Sequence, residues 1–286
     1  MGRLRPVWQL DFLSRLTDKG IAFTEVEEHE LVFLDQQGVA IHLVSLADKG
    51  CPEDFIALQK RYQEQNCYLV HLWEDIWLSR REQVLGRIAS ILGLNSTLHG
   101  RKGKIITINQ VQADEFLLNH HLQGSAKTKY KFALVIGEEI VAIALFSAAR
   151  PMTRIAADYR SYELVRFASQ IGFTVTGGFS KLLKHFIKLV QPNDLMSYAD
   201  RDWSLGNAYA SSGFELVGAT EPLALWLDLK DYSRKTWLRL PATLLEELKS
   251  MEGLKSSDET RKQQFLRAKN YLPVFNTGNL KYILYL

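Results

Sequence analysis

Val175-Thr176-Gly177-Gly178-Phe179-Ser180-Lys181-Leu182-Leu183 sets a pair of glycines immediately before a helix whose apolar spacing runs to Val190. Paired glycines let a backbone turn sharply and come close to a ligand. The helix that follows has unpaired N–H groups in its first turn and partial positive charge there, a setting that suits a phosphate or carboxylate. Ser180 suits a helix cap, and Lys181 and Lys184 add charge. Gly177, Gly178, Ser180 and Lys181 are therefore candidate co-substrate-binding residues. A plain loop-to-helix turn closed by a serine cap fits the same nine residues.

Outward from this turn, the pattern predicts a domain over 104–230. Strands are expected at Ile105–Ile108, Phe132–Ile136, Ile140–Phe146, Tyr162–Phe167, Leu195–Ala199, Phe214–Gly218 and Ala224–Leu229. Helices are expected at Val111–His121, Ser180–Val190 and Gly206–Ser212. The order β-α-β-β-β-α-β-α-β-β mixes a hairpin with strand–helix alternation, which implies a mixed α/β (α+β) sheet and not a doubly wound parallel one. Residues 1–80 read as a separate small α/β unit. It has a helix over Trp8–Asp18, strands at Leu31–Leu34 and Val39–Val44 around a turn at 35–38, a helix over Pro52–Gln65 and a strand over Cys67–Leu72. A basic helix over Trp77–Leu92 and a loop to 103 link the two. Residues 231–286 read as a helical and strand appendix.

The composition is that of an ordinary globular chain: 286 residues, 47% hydrophobic, 23% charged, net charge +3. This excludes wholesale disorder and permits a nucleic-acid partner without demanding one. Cys51 and Cys67 make no disulfide framework or metal motif, which points to a cytoplasmic setting with no bound metal. No apolar run has the length of a membrane span, so no membrane partner is expected.

Ser197-Tyr198-Ala199-Asp200-Arg201-Asp202-Trp203 ends an apolar strand in polar residues, where open α/β sheets place ligand groups. Asp200 suits a base or an amine-orienting group, and Tyr209 an acid or hydrogen-bond donor. A helix cap by Asp200 or Asp202 over a core Trp203 and Tyr209 fits equally. His120 and His121 end a helix, where the dipole favours a cationic imidazole; one of them could instead titrate near neutrality. In a regular strand Glu163 and Arg166 point to opposite faces. Arg80, Arg81, Arg87, Arg101, Lys102 and Lys104 suit phosphate tracking or simply a solvated surface.

Taken together, Asn119-His-His-Leu-Gln-Gly124, Tyr162-Glu-Leu-Val-Arg-Phe167, Val175–Leu183, Ser197-Tyr-Ala-Asp-Arg-Asp-Trp-Ser204, Gly206, Tyr209 and Gly213-Phe214 resemble a domain of the GCN5-related N-acetyltransferase (GNAT) type. That domain occurs in phage proteins labelled Hef-like homing endonucleases and is similar to the Mom DNA-modification proteins. The resemblance runs from about Trp73 to Leu229, and Phe275-Asn-Thr-Gly-Asn-Leu-Lys281 is similar to the tail of those phage proteins. It implies a GNAT fold with His121, Arg166, Ser180, Asp200 and Tyr209 as the active site. It further implies a small-molecule co-substrate at the glycine turn, and DNA as partner, modified on an exocyclic adenine amine. Val175-Thr176-Gly177-Gly178 lacks the Arg/Gln-x-x-Gly-x-Gly/Ala loop of acyl-CoA-binding members, so the co-substrate is left open between acyl-CoA and another carrier. Arg80, Arg81, Arg101 and Lys102 are the nucleic-acid contacts expected. Residues 1–80, ending in His71-Leu-Trp-Glu-Asp-Ile-Trp77, resemble the very-short-patch repair endonuclease fold. The acidic metal-binding positions of that pattern fall on Leu31 and His42, with Glu30 and Asp35 out of phase, so the unit is expected to keep that fold without cleavage.

Overall fold

The computed structural model describes residues 5–26, 30–34, 38–48, 50–250 and 259–286. The chain is a mixed α/β protein of two compact units. One is Met1–Ser79 with Glu221–Gly278; the other is Arg80–Thr220 with Asn279–Leu286.

The first unit opens with helix α1 (Val7–Asp18), which buries Trp8, Phe12 and Leu16, one apolar residue per turn. Strands β1 (Phe23–Val26), β2 (Leu31–Leu34) and β3 (Val39–Val44) form an antiparallel run. Helix α2 (Pro52–Glu64) then crosses over to β4 (Tyr68–Trp73), which lies parallel to β3, the connection a parallel pair requires. Pro52 opens α2, with Glu53 and Asp54 in its first turn. Most of the turn expected at 35–38, and Asp35 with it, lies outside the described residues. The basic helix, α3 (Glu74–Ile91), is not continuous: Arg80 has φ −142° and ψ 36°, and the division between the units falls there.

The second unit runs through β5 (Ser96–His99), β6 (Lys104–Thr107), α4 (Gln110–His120), β7 (Tyr130–Ile136), β8 (Glu139–Phe146), β9 (Arg150–Pro151), β10 (Arg160–Ser169), β11 (Phe173–Thr176), α5 (Gly178–Val190), β12 (Asp194–Asp200), α6 (Asn207–Ala210) and β13 (Glu215–Ala219). The first unit then takes β14 (Ala224–Asp228), β15 (Ser233–Lys235), α7 (Ala242–Ser250), α8 (Glu259–Ala268) and β16 (Tyr271–Phe275). The last strand, β17 (Asn279–Tyr285), belongs again to the second unit. The large sheet has the order β13-β17-β12-β10-β8-β7-β6, with β9 on β10. Within it β10 and β12 are parallel, and the remaining pairs are antiparallel.

Alternation along β7 and β8 divides the core of this unit between two faces. Phe132, Leu134, Ala144 and Phe146 pack with Leu182, Leu183 and Phe186 of α5, where Phe146 and Phe186 stack at 3.9 Å. Ala133, Ile143 and Leu145 pack with Ala113, Phe116 and Leu117 of α4. Asn109 and Gln112 close a reciprocal capping box at the start of α4.

The strand pairing changes the expected boundaries. The strand expected to end the 104–230 domain, now β14, pairs with β15 and β16, and its Leu227 is buried with Val44, Phe55, Trp73 and Val274. The end of the expected appendix, β17, instead sits between β12 and β13 and contributes Tyr282 to the core of the large sheet. An insertion of 58 residues thus separates the last two strands of that sheet, Glu221–Gly278. Two polar locks hold the insertion within the first unit. Arg234 Nε and Nη2 each donate at 2.7 Å to the fully buried carboxylate of Asp75. Asp228 Oδ2 accepts from Lys235 Nζ and Tyr271 OH, both at 2.8 Å. Burial pushes the Asp228 carboxyl up, but these donors and the Lys230 N–H outweigh it and hold its pKa at about 2.

Candidate active site

Strands β10 and β12 pair over a short stretch only, Ser161–Leu164 against Asp194–Ser197. Both continue beyond it, to Ser169 and Asp200. A β-bulge lies between Leu164 and Arg166 in the register with β8, where the strands part. Bulges bend a strand and end pairing on one side. Alternate backbone groups of Val165–Ser169 are left outside strand pairing on the β12 side. A cavity of about 450 Å³ occupies the fork, lined by Val165–Ile171, by Tyr198, Ala199 and Asp200, and by parts of α3, α4 and α6.

Four of the five expected active-site residues line this cavity: His121, Arg166, Asp200 and Tyr209. Tyr209, on α6, packs its ring against Phe214 at 5.5 Å and Tyr282 at 5.3 Å, and its phenol lies near enough to Ser197 for that hydroxyl to act on its pKa. Ser197 Oγ donates to the Leu164 carbonyl at 2.9 Å. The phenol thus lies beside the last paired residues of the fork. Burial raises its pKa, against the pull of Ser197 and of the Arg166 and Arg87 charges, so it holds its proton at neutral pH. Asp200, at the end of β12, accepts from Gln123 Nε2 at 3.0 Å and from the Asp202 N–H at 3.1 Å.

His121 does not titrate near neutrality. Its Nδ1 accepts the Gln123 N–H at 3.1 Å. Burial first, and then the charges of Arg166, Arg87 and Arg80, hold its pKa down at about 3. A histidine held neutral by the fold contributes stability that is complete above its unfolded pKa of about 6.5 and is lost as pH falls toward the folded value. His121→Asn is therefore expected to flatten the acid limb of the stability curve between about pH 6 and 4, measured by urea midpoints over that range.

The bulge also removes the premise that put Glu163 and Arg166 on opposite faces, because one extra residue resets the alternation. Glu163 is close enough to contribute its charge to Arg166.

The fifth residue, Ser180, lies elsewhere. Helix α5 starts at Gly178, with Gly177 as a left-handed N-cap at φ 75° and no side-chain cap bond. Ser180 is thus third in the helix and is not its cap. Successive helical residues point about 100° apart. Phe179 turns into the fork, ring to ring with Phe167 at 4.9 Å and Tyr209 at 6.0 Å. Ser180 turns away and lines a second cavity of about 520 Å³ with Gly177, Lys181, Lys184, His99 and Arg101.

Lys181 is not available to a ligand, because its Nζ donates to the carbonyls of Gly100, Arg101 and Gly103 at 3.2, 3.0 and 2.6 Å, which uses all three ammonium donors. Its task is to pin the 100–103 turn onto the start of α5. Gly100 makes that contact possible, since a Cβ there would stand 2.8 Å from the Gly178 nitrogen. Gly100→Ala is expected to cost about 1–3 kcal/mol, read from the denaturation midpoint, because the obstructing atoms are backbone.

Of the expected nucleic-acid contacts, Arg101 and Lys102 are exposed on this turn and Arg81 is exposed on α3. Arg80 instead donates to the Leu118 carbonyl at 3.2 Å, beside Gln83 at 2.7 Å, and so closes the end of α4. Gln123, Ser197 and Phe179 stand inside the motifs quoted above without a role of their own, and Arg87 was expected only as a phosphate-tracking or solvated residue of the basic helix; no sequence signal marked the bulge.

In the first unit, His42 stands opposite Leu31 in the β2–β3 register, and its Nδ1 is 2.9 Å from Nδ1 of buried His71. Glu30 Oε2 accepts from Gln9 Nε2 at 3.0 Å.

No protein-family model matches the chain, and no curated protein does. Similar solved structures include a GNAT family acetyltransferase from Elizabethkingia anophelis with acetyl-CoA bound: 12% identity, 65% of this chain and 99% of that one, TM-score 0.33. An IAA acetyltransferase from Bacillus cereus has 12% identity, 64% and 99% coverage and a TM-score of 0.36. An N-acetyltransferase from Staphylococcus aureus has 12% identity, 64% and 98% coverage and a TM-score of 0.34. No helix among the described residues is long and apolar enough to cross a membrane.

Proposed function

We propose that the unit of Arg80–Thr220 and Asn279–Leu286 is a GNAT-type transferase, which passes an acyl-like group from a small-molecule co-substrate to an exocyclic amine of a nucleobase in DNA. The observation that carries this reading is the fork between β10 and β12. It presents unpaired strand backbone to a cavity that also holds a protonated phenol and a carboxylate. Extended amide-bearing chains dock on such backbone as an added strand does.

The unpaired N–H groups at the start of α5, with Arg101 and Lys184 beside them, suit the anionic end of a co-substrate. An acyl-CoA fits this donor set, although the glycine loop departs from the usual pattern, and when bound it would supply an activated carbonyl and a thiolate leaving group. Tyr209 holds a proton for the leaving group, with the Ser197 hydroxyl beside it. Asp200 accepts a hydrogen bond from the amine and takes its proton after attack. His121, held neutral, positions the Gln123 segment and is no base at ordinary pH. The nucleobase acceptor rests on the likeness to Mom proteins in the residues at 119–124, 162–167 and 197–209. The first unit would grip DNA without cutting it, since the two positions where its resemblance expects carboxylates carry Leu31 and His42, the latter held by His71.

Hydrogen–deuterium exchange on the intact chain with and without acetyl-CoA tests the co-substrate. Slowed exchange at both Val165–Ser169 and Gly178–Ser180 is expected. Unchanged exchange at saturating acetyl-CoA would rule that carrier out.

A further inference from the structure

The fork cavity has a charge pattern that the transfer chemistry leaves unused. Arg87 and Arg166 both line it. Each spends one N–H on a backbone carbonyl: Arg166 Nη1 on Val165 at 2.8 Å and Arg87 Nη2 on Trp203 at 3.4 Å. Neither has a hydrogen-bonded carboxylate partner among the described residues. The Nε of Arg166 is buried without any partner. A guanidinium carries five donors in a fixed fork, and a buried donor left unmatched is costly. Asp200, the other charged residue lining the cavity, already accepts from Gln123 and Asp202. The charged side chains of the lining therefore sum to a net positive charge around His121, with the Glu163 carboxylate acting on Arg166 from outside the lining.

We infer that Arg87 and Arg166 form an oxyanion subsite at the acceptor end of the cavity, so that the acceptor is an uncharged, weakly basic amine lying beside a phosphate or carboxylate, and alkylammonium groups are excluded. The inference rests on the transferase reading for the word acceptor, but not for the binding itself. Planar guanidinium donors match an oxyanion in pairs, and two such groups in a partly enclosed site repel an ammonium ion. The depressed pKa of His121 reports the same field, since Arg166 and Arg87 both disfavour its protonation. A nucleotide answers the description through its phosphate, and an aminobenzoate through its carboxylate.

Calorimetric titration of the intact protein separates these cases. The probes are 2′-deoxyadenosine 5′-monophosphate, 2′-deoxyadenosine, 2-aminobenzoate, aniline and propylamine. Each anion-bearing probe is compared with its uncharged partner, in the parent and in Arg87→Gln and Arg87→Lys. The oxyanion is expected to tighten binding about 10- to 100-fold in at least one pair. Arg87→Gln is expected to abolish that gain while its melting temperature stays at the parent value, Arg87→Lys to keep part of it, and propylamine not to bind. The pair with the larger gain identifies phosphate or carboxylate as the natural group. Equal binding of charged and uncharged partners, a gain that survives Arg87→Gln, or tight binding of propylamine overturns the inference. If Arg87→Gln unfolds, the parent's charged-to-uncharged ratio and its propylamine result still decide. Oxyanion binding without any transfer product would count against the transferase reading alone, and product formation indifferent to the oxyanion would count against the subsite alone.

Discussion

Asp75→Ala is expected to destabilise the unit built from Met1–Ser79 and Glu221–Gly278 by about 3–5 kcal/mol. The carboxylate has no solvent exposure and takes two 2.7 Å hydrogen bonds from Arg234. Removing it takes both charge-assisted bonds from a guanidinium that is only 16% exposed. The stacking of Arg234 over the Trp73 ring, 5.1 Å from the centroid, does not replace two charge-assisted bonds. The comparison that isolates the pair is Asp75→Leu with Arg234→Met. Two apolar groups of similar volume leave no buried charge short of its bonds, so the double variant is expected to recover most of the loss. Urea midpoints for the singles and the double measure it, and a single Asp75→Ala loss below about 1 kcal/mol would mean that the pair behaves as a surface salt bridge and does not lock the insertion.

Tyr209→Phe is expected to lower the transfer rate by about 10²- to 10⁴-fold with co-substrate affinity unchanged. The ring keeps its packing against Phe179, Phe214 and Tyr282, and only the hydroxyl, with its proton, is lost. Ser197→Ala leaves that proton in place but removes the polar neighbour of the phenol, and is expected to fall between the two. Single-turnover rates at saturating co-substrate make the comparison. A Tyr209→Phe rate within about threefold of the parent would assign the phenol to packing, since a general acid is worth far more.

Much of the element pattern was legible because it follows from local periodicity. The apolar face of α1, the β7–β8 hairpin and the α5 face against Phe146 all repeat at the spacing of their element. What was not legible depends on non-local pairing. β5 and β11 stabilise each other in parallel across intervening strands, so neither carries a strong signal alone. β17 reads as the end of an appendix until its partners β12 and β13 are known, and a 58-residue insertion hides them.

The site divided along the same line. Asp200 and Tyr209 sit at a strand end and on the short helix after it, where ligand groups are expected. Ser180 was grouped with them by the family resemblance, but the turn of the helix directs it to the other cavity. Lys181 looked like free charge, yet three carbonyls 78 to 81 residues away in sequence claim it. The bulge at Val165 opens the fork, and it arises from register between strands, which no single-strand pattern encodes.

Mass analysis of nucleosides from the DNA of cells making the intact protein tests the central claim most directly. A nucleoside of increased mass, present with the parent and absent with Asp200→Ala at equal folded abundance, is the predicted result. Unaltered nucleosides with abundant folded parent protein, or the same altered nucleoside with Asp200→Ala, would contradict it.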